Sequence, residues 1–578
     1  MKKFILIFLL FLINPTLVLS INNEFNTTQE ISYSVDQHGN AKVIHEISIT
    51  NNFSNIYPKE YLLEIFDQDI DNIKGSDQAG NIVQNIERTQ GKSTIKIKFN
   101  NPVPGKNKKT NFNINYTILS LAQQKGQLWE INLPQQNKLD TQISLKIPNS
   151  FGNLVFCSAK NEIKQQKDYQ EIIFNNKQNQ KITIAFGNTQ IFDFELNFFL
   201  ENKAQDNIET SIPIPPDTNT QKIIITKIDP KPKNIITDPD GNWLAQYQLN
   251  SNTKKEIFVT GQAEIHPTDY SFDNPPDFKK LTIEQKFWPI NNPLVQKINS
   301  NLHSAKDIYQ YVVNTLDYDY EQMNQAQRKG ALVALLNPKN SLCTEFTDLF
   351  VTLARNKKIP AQEIEGYAHT DKPELKPTNT DILHAWPRFW NKEKNTWLTI
   401  DPTWEKTTKG IDYFSNTDLN HLVFVIHGHN SQYPAPPGSY KKATQQKSIK
   451  VAFANQKALD QNNPPHVFLN QAKIILQNNN PSSIKNINLS IKKQNWTKKI
   501  NIMPPFSYLE FDPPKTHPLL SLLPKNKNLE FTLNIQNQED QTQLIPHPQH
   551  YQNTLIFISL ISLLVLGGII LIKKKNNK

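Results

Sequence analysis

From Ile31 the sequence alternates apolar and polar residues on both sides of a turn: IleSerTyrSerVal at 31 to 35, AspGlnHisGlyAsn at 36 to 40, AlaLysValIleHisGluIleSerIle at 41 to 49. A strand turns successive side chains to opposite faces, so this period buries one face, wets the other, and folds back at the turn as a hairpin. The pattern recurs from about Asn23 to Phe198, which predicts an N-terminal β-sandwich of antiparallel strands over residues 21–205. ProIleProPro at 213 to 216 reads as a linker. A smaller β-rich segment at 218–268 follows, with AspProAspGlyAsn at 238 to 242 as its turn. At 578 residues the chain is too long for one core. Its 37% hydrophobic and 20% charged residues exclude global disorder.

The texture then changes to helical spacing. Pro293 to Leu302 and Lys306 to Leu316 carry it, and in the second Ile308, Val312, Val313 and Leu316 share one face behind Ser304 as a cap. An α+β module is expected over 270–430. Alternation returns after TyrProAlaProProGly at 433 to 438, which predicts a second, Ig-like β-sandwich at 445–540.

The ends read as targeting segments. Lys2 and Lys3 before an apolar run predict a signal peptide at 1–20. Residues 555–572 are uncharged and are followed by Lys573, Lys574 and Lys575, which predicts a single C-terminal transmembrane helix with a basic cytoplasmic tail at 573–578. The location expected from this is the cell membrane, single-pass, with the region before the span outside the cytoplasm. Of the net charge of +10, six positive charges lie in the leader and the tail, which leaves +4 in between. With no basic stripe interleaved with aromatics, nucleic acid is not an expected partner.

Around Cys343, Phe346, Leu349, Phe350, Leu353 and Ala354 fall on one helical face, with Asn340 or Ser341 placed to cap. A cysteine in the first turn of a helix meets unpaired N–H groups and the positive end of the helix dipole, which favour a nucleophilic thiolate. The alternatives are a small buried hydrophobe or a disulfide with Cys157. Downstream, LeuHisAlaTrpProArgPheTrp at 383 to 390 and TrpLeuThrIleAspProThrTrp at 397 to 404 form a candidate hairpin. With Lys392 and Glu393 as a two-residue loop, His384 falls opposite Asp401; a five-residue loop puts Asp401 opposite Ala385. A carboxylate beside an imidazole fixes its tautomer and stabilises its charged form, as a cysteine nucleophile requires of its base.

Residues 341 to 404 resemble the core of the transglutaminase-like superfamily. The likeness rests on Cys343, Arg355 with Ile359 and Pro360, Gly366 with Tyr367, His384 with Ala385 and Trp386, and Asp401 with Pro402 and Thr403. Many members carry Gly two residues before the nucleophile, where this chain has Ser341. The resemblance implies a papain-like α+β core, with Cys343 as nucleophile, His384 as general base and acid, and Asp401 as orienting carboxylate. It also implies a protein or peptide amide as substrate, whose acyl group passes to water or to another amine. Tyr318 and Tyr320 are the oxyanion-donor candidates. No cofactor is expected. The histidines 369, 421, 427 and 429 are not read as a metal site, because no Cys or carboxylate stands at ligand spacing from HisGlyHis at 427 to 429. The competing expectation is a non-catalytic surface scaffold or adhesin that carries an inert module of this type.

Overall fold

The computed structural model describes residues 24–545, apart from 67, 135–140, 177–181, 269–275, 326, 378–379, 409, 417, 443, 462, 471–472, 493, 515–528 and 536–540. The described chain is mostly β-sheet with few helices. Among the described residues no helix is long and apolar enough to cross a membrane. Helix Cys343–Asn356, at 14 residues, reaches only about 21 Å, against about 30 Å of hydrocarbon. The expected C-terminal transmembrane helix, and the single-pass membrane location built on it, are thereby not borne out among the described residues. The segment 555–572, the signal peptide at 1–20 and the tail at 573–578 lie outside the described residues.

The chain divides into two compact units. Within the described residues the first takes in 24–123, 132–150 and 160–182, and the second takes in the rest. The first unit carries the expected hairpin: strand Phe25–Val35 pairs antiparallel with Ala41–Asn51, from Phe25 opposite Asn51 to Val35 opposite Ala41. The Asp36 carboxylate closes its turn by accepting the N–H groups of His38 and Asn40, and Gly39 supplies the positive φ of 87° that the turn needs. Ile31, Tyr33, Val43 and Ile47 form the buried side of the alternation. The pairing is not wholly antiparallel, because Phe25–Val35 also runs parallel to Thr141–Pro148 inside an eight-stranded sheet.

In the second unit, strand Gln190–Asn202 pairs along its whole length with Thr253–Ile265 and on its other edge with Ile449–Phe453. The expected boundaries at 205, 218 and 445 therefore cut through one sheet. Alternation identifies a strand but not its partner. The ProIleProPro run is no linker either: Pro213 and Ile214 end strand Ile208–Ile214, paired with Trp243–Leu249 and buried. These strands enclose a core around Phe192, Phe194, Trp243 and Tyr247 that also takes in Tyr367, Leu422 and Phe424. A further pair of sheets between His466 and Ile545 packs around Val467, Leu476, Leu489 and Phe531.

Between them lies the α+β part. Its four-stranded antiparallel sheet runs in the order Thr396–Thr399, His384–Asn391, Ala361–Ala368, His421–His427. Helix Ala305–Thr315 starts at a capping box between Ser304 and Asp307 and buries Ile308, Val312 and Val313, as its spacing predicts. Helix Cys343–Asn356 packs against the sheet and buries Phe346, Leu349, Phe350 and Leu353 completely. Arg355 locks the turn behind it, donating from Nε to the Ala361 carbonyl at 2.9 Å while its guanidinium covers the Trp288 ring at 4.2 Å.

Candidate active site

Cys343 opens its helix, but not behind the expected cap. Leu342 holds the N-cap position, and the Glu345 carboxylate secures the turn by accepting the Leu342 N–H at 3.0 Å and the Lys329 N–H at 2.8 Å. Ser341 instead donates its hydroxyl to the Pro338 carbonyl at 3.2 Å. The first-turn position still leaves the Cys343 N–H without an intrahelical partner.

The expected hairpin register is corrected. Arg388 lies opposite Thr399 and Asn391 opposite Thr396, with residues 392 to 395 as the loop, so neither forecast pairing occurs. The second strand stops at Thr399, and Asp401 caps the next helix, Pro402–Thr407, accepting the Trp404 N–H at 2.9 Å. Pro402 suits the first helical position, where no N–H is needed. From that cap the other carboxylate oxygen of Asp401 meets Nε2 of His384 at 2.7 Å. The two side chains meet because a helix cap, not a strand partner, aims the carboxylate.

Cys343 and His384 line one cleft of about 510 Å³, together with Tyr318, Leu342, Glu365 and Trp404. Burial presses the His384 imidazole toward its neutral form, but Asp401 and then Cys343 outweigh it and hold its pKa up at about 9. Burial would raise Asp401, yet His384 and His421 hold it down at about 2. Of the two oxyanion-donor candidates, Tyr318 lines the cleft, from an extended segment bridged to Ser341. Tyr320 is exposed and stacks edge-on against Tyr318 at 4.9 Å. Trp386, on the His384 face of its strand, is core with Ile364, Val423 and Ile426. Cys157 and Cys343 are not joined to each other; the Cys157 thiol donates to the Ala159 carbonyl at 3.2 Å.

Sequence reasoning missed two groups. His421 reaches the same Asp401 oxygen as His384, at 3.1 Å. On the cleft wall, Arg328 donates from Nε to Asp348 at 2.9 Å and pairs with Glu363 at 2.6 Å, while His427 donates from Nδ1 to Glu363 at 3.1 Å. The ground for discounting HisGlyHis is thereby corrected: Glu363, Glu365 and His427 hold ligand atoms within 4.8 Å of one another. In this cluster the positive charge comes from the Arg328 guanidinium and from His427, which burial presses toward neutral but Glu363 holds up at about 9. His429, two residues on, bonds Asp240 at 2.7 Å. A sequence signal existed, in the two glutamates of AlaGlnGluIleGluGlyTyr at 361 to 367, charges inside an otherwise uncharged strand.

Residues 289–402 match the family model described as the transglutaminase-like superfamily. These residues are a transglutaminase-like domain. The match covers the helices from Pro293 to Asn356, the Cys343 turn and three strands of the sheet as far as Asp401; strand His421–His427 and the flanking sheets lie outside it. No curated protein matches the chain. Among solved structures the chain is similar to a candidate cysteine protease from Cytophaga hutchinsonii at 13% identity, over 46% of this chain and 87% of that one, with a TM-score of 0.31. It is also similar to the periplasmic domain of TgpA from Pseudomonas aeruginosa at 12% identity, over 38% and 89%, with a TM-score of 0.21. A third is a candidate nutrient-binding protein from Legionella pneumophila at 10% identity, over 28% and 67%, with a TM-score of 0.20.

Proposed function

We propose that the transglutaminase-like domain is a cysteine acyltransferase or hydrolase acting on amide bonds of protein or peptide substrates. The observation that carries this reading is the 2.7 Å contact of His384 with Asp401 beside a cleft that Cys343 also lines. The Cys343 sulfur attacks the amide carbonyl carbon, and His384 gives its proton to the departing amine as the C–N bond breaks. Water or a second amine then attacks the thioester, His384 takes its proton, and the thiolate leaves. Asp401 holds the Nε2–H of His384, so that Nδ1 is the nitrogen turned to the reaction. The Cys343 backbone N–H, at a helix start, is an oxyanion donor.

The test supplies Gln-containing peptides with and without a primary amine and follows both amine incorporation and free acid. Either product, lost in Cys343→Ala, supports the reading; neither product above the Cys343→Ala background rejects it. The rate should hold through neutral pH and decline as pH rises through about 9, because the proton donor is then lost. The same ion pair contributes to stability fully below the ordinary histidine value of 6.5, and that contribution fades as pH rises through about 9.

A further inference from the structure

His421 has no part in that mechanism, yet it touches the carboxylate on which the mechanism turns. Asp401 Oδ2 receives His384 Nε2 at 2.7 Å and His421 Nε2 at 3.1 Å, while Oδ1 is taken by the Trp404 N–H. On the other side of the His421 ring, Nδ1 lies 2.7 Å from Asp418 Oδ1. An ionised carboxylate only accepts, so a ring with one at each nitrogen is satisfied only as the doubly protonated imidazolium. The ring is buried between Trp386, at 4.8 Å, and Trp404, at 4.5 Å between centroids, which hold it in place.

We infer that His421 is a positioning residue: a buried imidazolium that fixes the plane of the Asp401 carboxylate and offsets part of its charge, leaving the His384 proton easier to give away. The inference rests on the Cys343, His384 and Asp401 reading and extends the relay to His421 and Asp418.

Among the described residues, the titratable groups around the ring come from three directions. Asp401 approaches from the start of helix Pro402–Thr407, and Asp418 from the loop before the ring's own strand. His384 stands on the sheet with its ring centroid 5.8 Å away. Tyr413 is near the same two carboxylates, and burial holds its phenol well above the usual range. Burial presses His421 toward the neutral form, but Asp418 and Asp401 outweigh it, which agrees with the charge the contacts require. Removing that charge leaves Asp401 uncompensated, so the His384 imidazolium binds its proton more tightly.

The test needs no substrate. In the full chain, alkylation of Cys343 by iodoacetamide is followed against pH by peptide mass. The wild type should show a step in rate near pH 9, as His384 loses its proton. His421→Gln keeps an amide donor but no charge, and should move that step up by about one pH unit. Asp418→Asn keeps the ring and removes one carboxylate; it should move the step the same way by less, and it carries the test if the glutamine variant does not fold. A step that stays or moves down in the folded variants overturns the role of His421 and leaves the triad reading standing. A wild-type profile without that step overturns both.

Discussion

Asp401→Asn should lower kcat/KM by about four orders of magnitude while the protein still folds. Asparagine caps a helix as well as aspartate does, so its side-chain oxygen still accepts the Trp404 N–H that Asp401 accepts at 2.9 Å. Its amide group then points at His384 Nε2 as a donor. The ring must accept there and carry its proton on Nδ1, the nitrogen needed to take a proton from the thiol. The chemistry fails through the wrong tautomer, not through lost structure. Kinetics and urea unfolding of the same sample check this. An activity loss under tenfold in a folded variant contradicts it, since the remaining contacts of His384 would then suffice.

Arg328→Met is the substitution with the largest expected cost in stability. Asp348 and Glu363 are both fully buried, and the guanidinium that answers them also donates to the Ser431 carbonyl at 2.8 Å and lies 4.2 Å from the Phe287 ring. Removing one partner of a buried ion pair leaves the other charge uncompensated, at about 3–5 kcal/mol. Burial already pushes Asp348 up to about 7 even with Arg328 beside it. Without the arginine, Asp348 binds a proton in the folded state that it releases on unfolding, while Glu363 keeps His427 at 3.1 Å. Folding then takes up protons, so the deficit should be largest near pH 8 and shrink toward pH 5. All eight tryptophans lie in the second unit, so fluorescence-detected urea unfolding reads the affected part. A midpoint equal to wild type at pH 8 contradicts the account.

These effects differ in how far the sequence reveals them. The Cys343 helix was legible because its apolar positions recur at helical spacing, and every residue assigned to that face is buried. The meeting of His384 with Asp401 was anticipated through a pairing that does not exist; AspProThr at 401 to 403 starts a helix instead of continuing a strand. Proline after aspartate is itself a helix-start signal and was the better guide. His421 was not legible as a partner of Asp401. It lies twenty positions further on, and only the order of strands in the sheet brings it back. Arg328 was hidden for the same reason, since a lone arginine in a polar stretch gives no sign that two strand glutamates will face it. The module boundaries failed because strand Gln190–Asn202 takes both its partners from later in the chain.

The account depends on Cys343 acting with His384 and Asp401 on an amide carbonyl. Intact mass measured during exposure to a pool of Gln-containing peptides tests this most directly. The wild type should gain the mass of an acyl group on Cys343, and Asp401→Asn should gain far less. Cys343→Ala and His384→Ala should gain none. Equal labelling of wild type and Cys343→Ala would contradict the assignment.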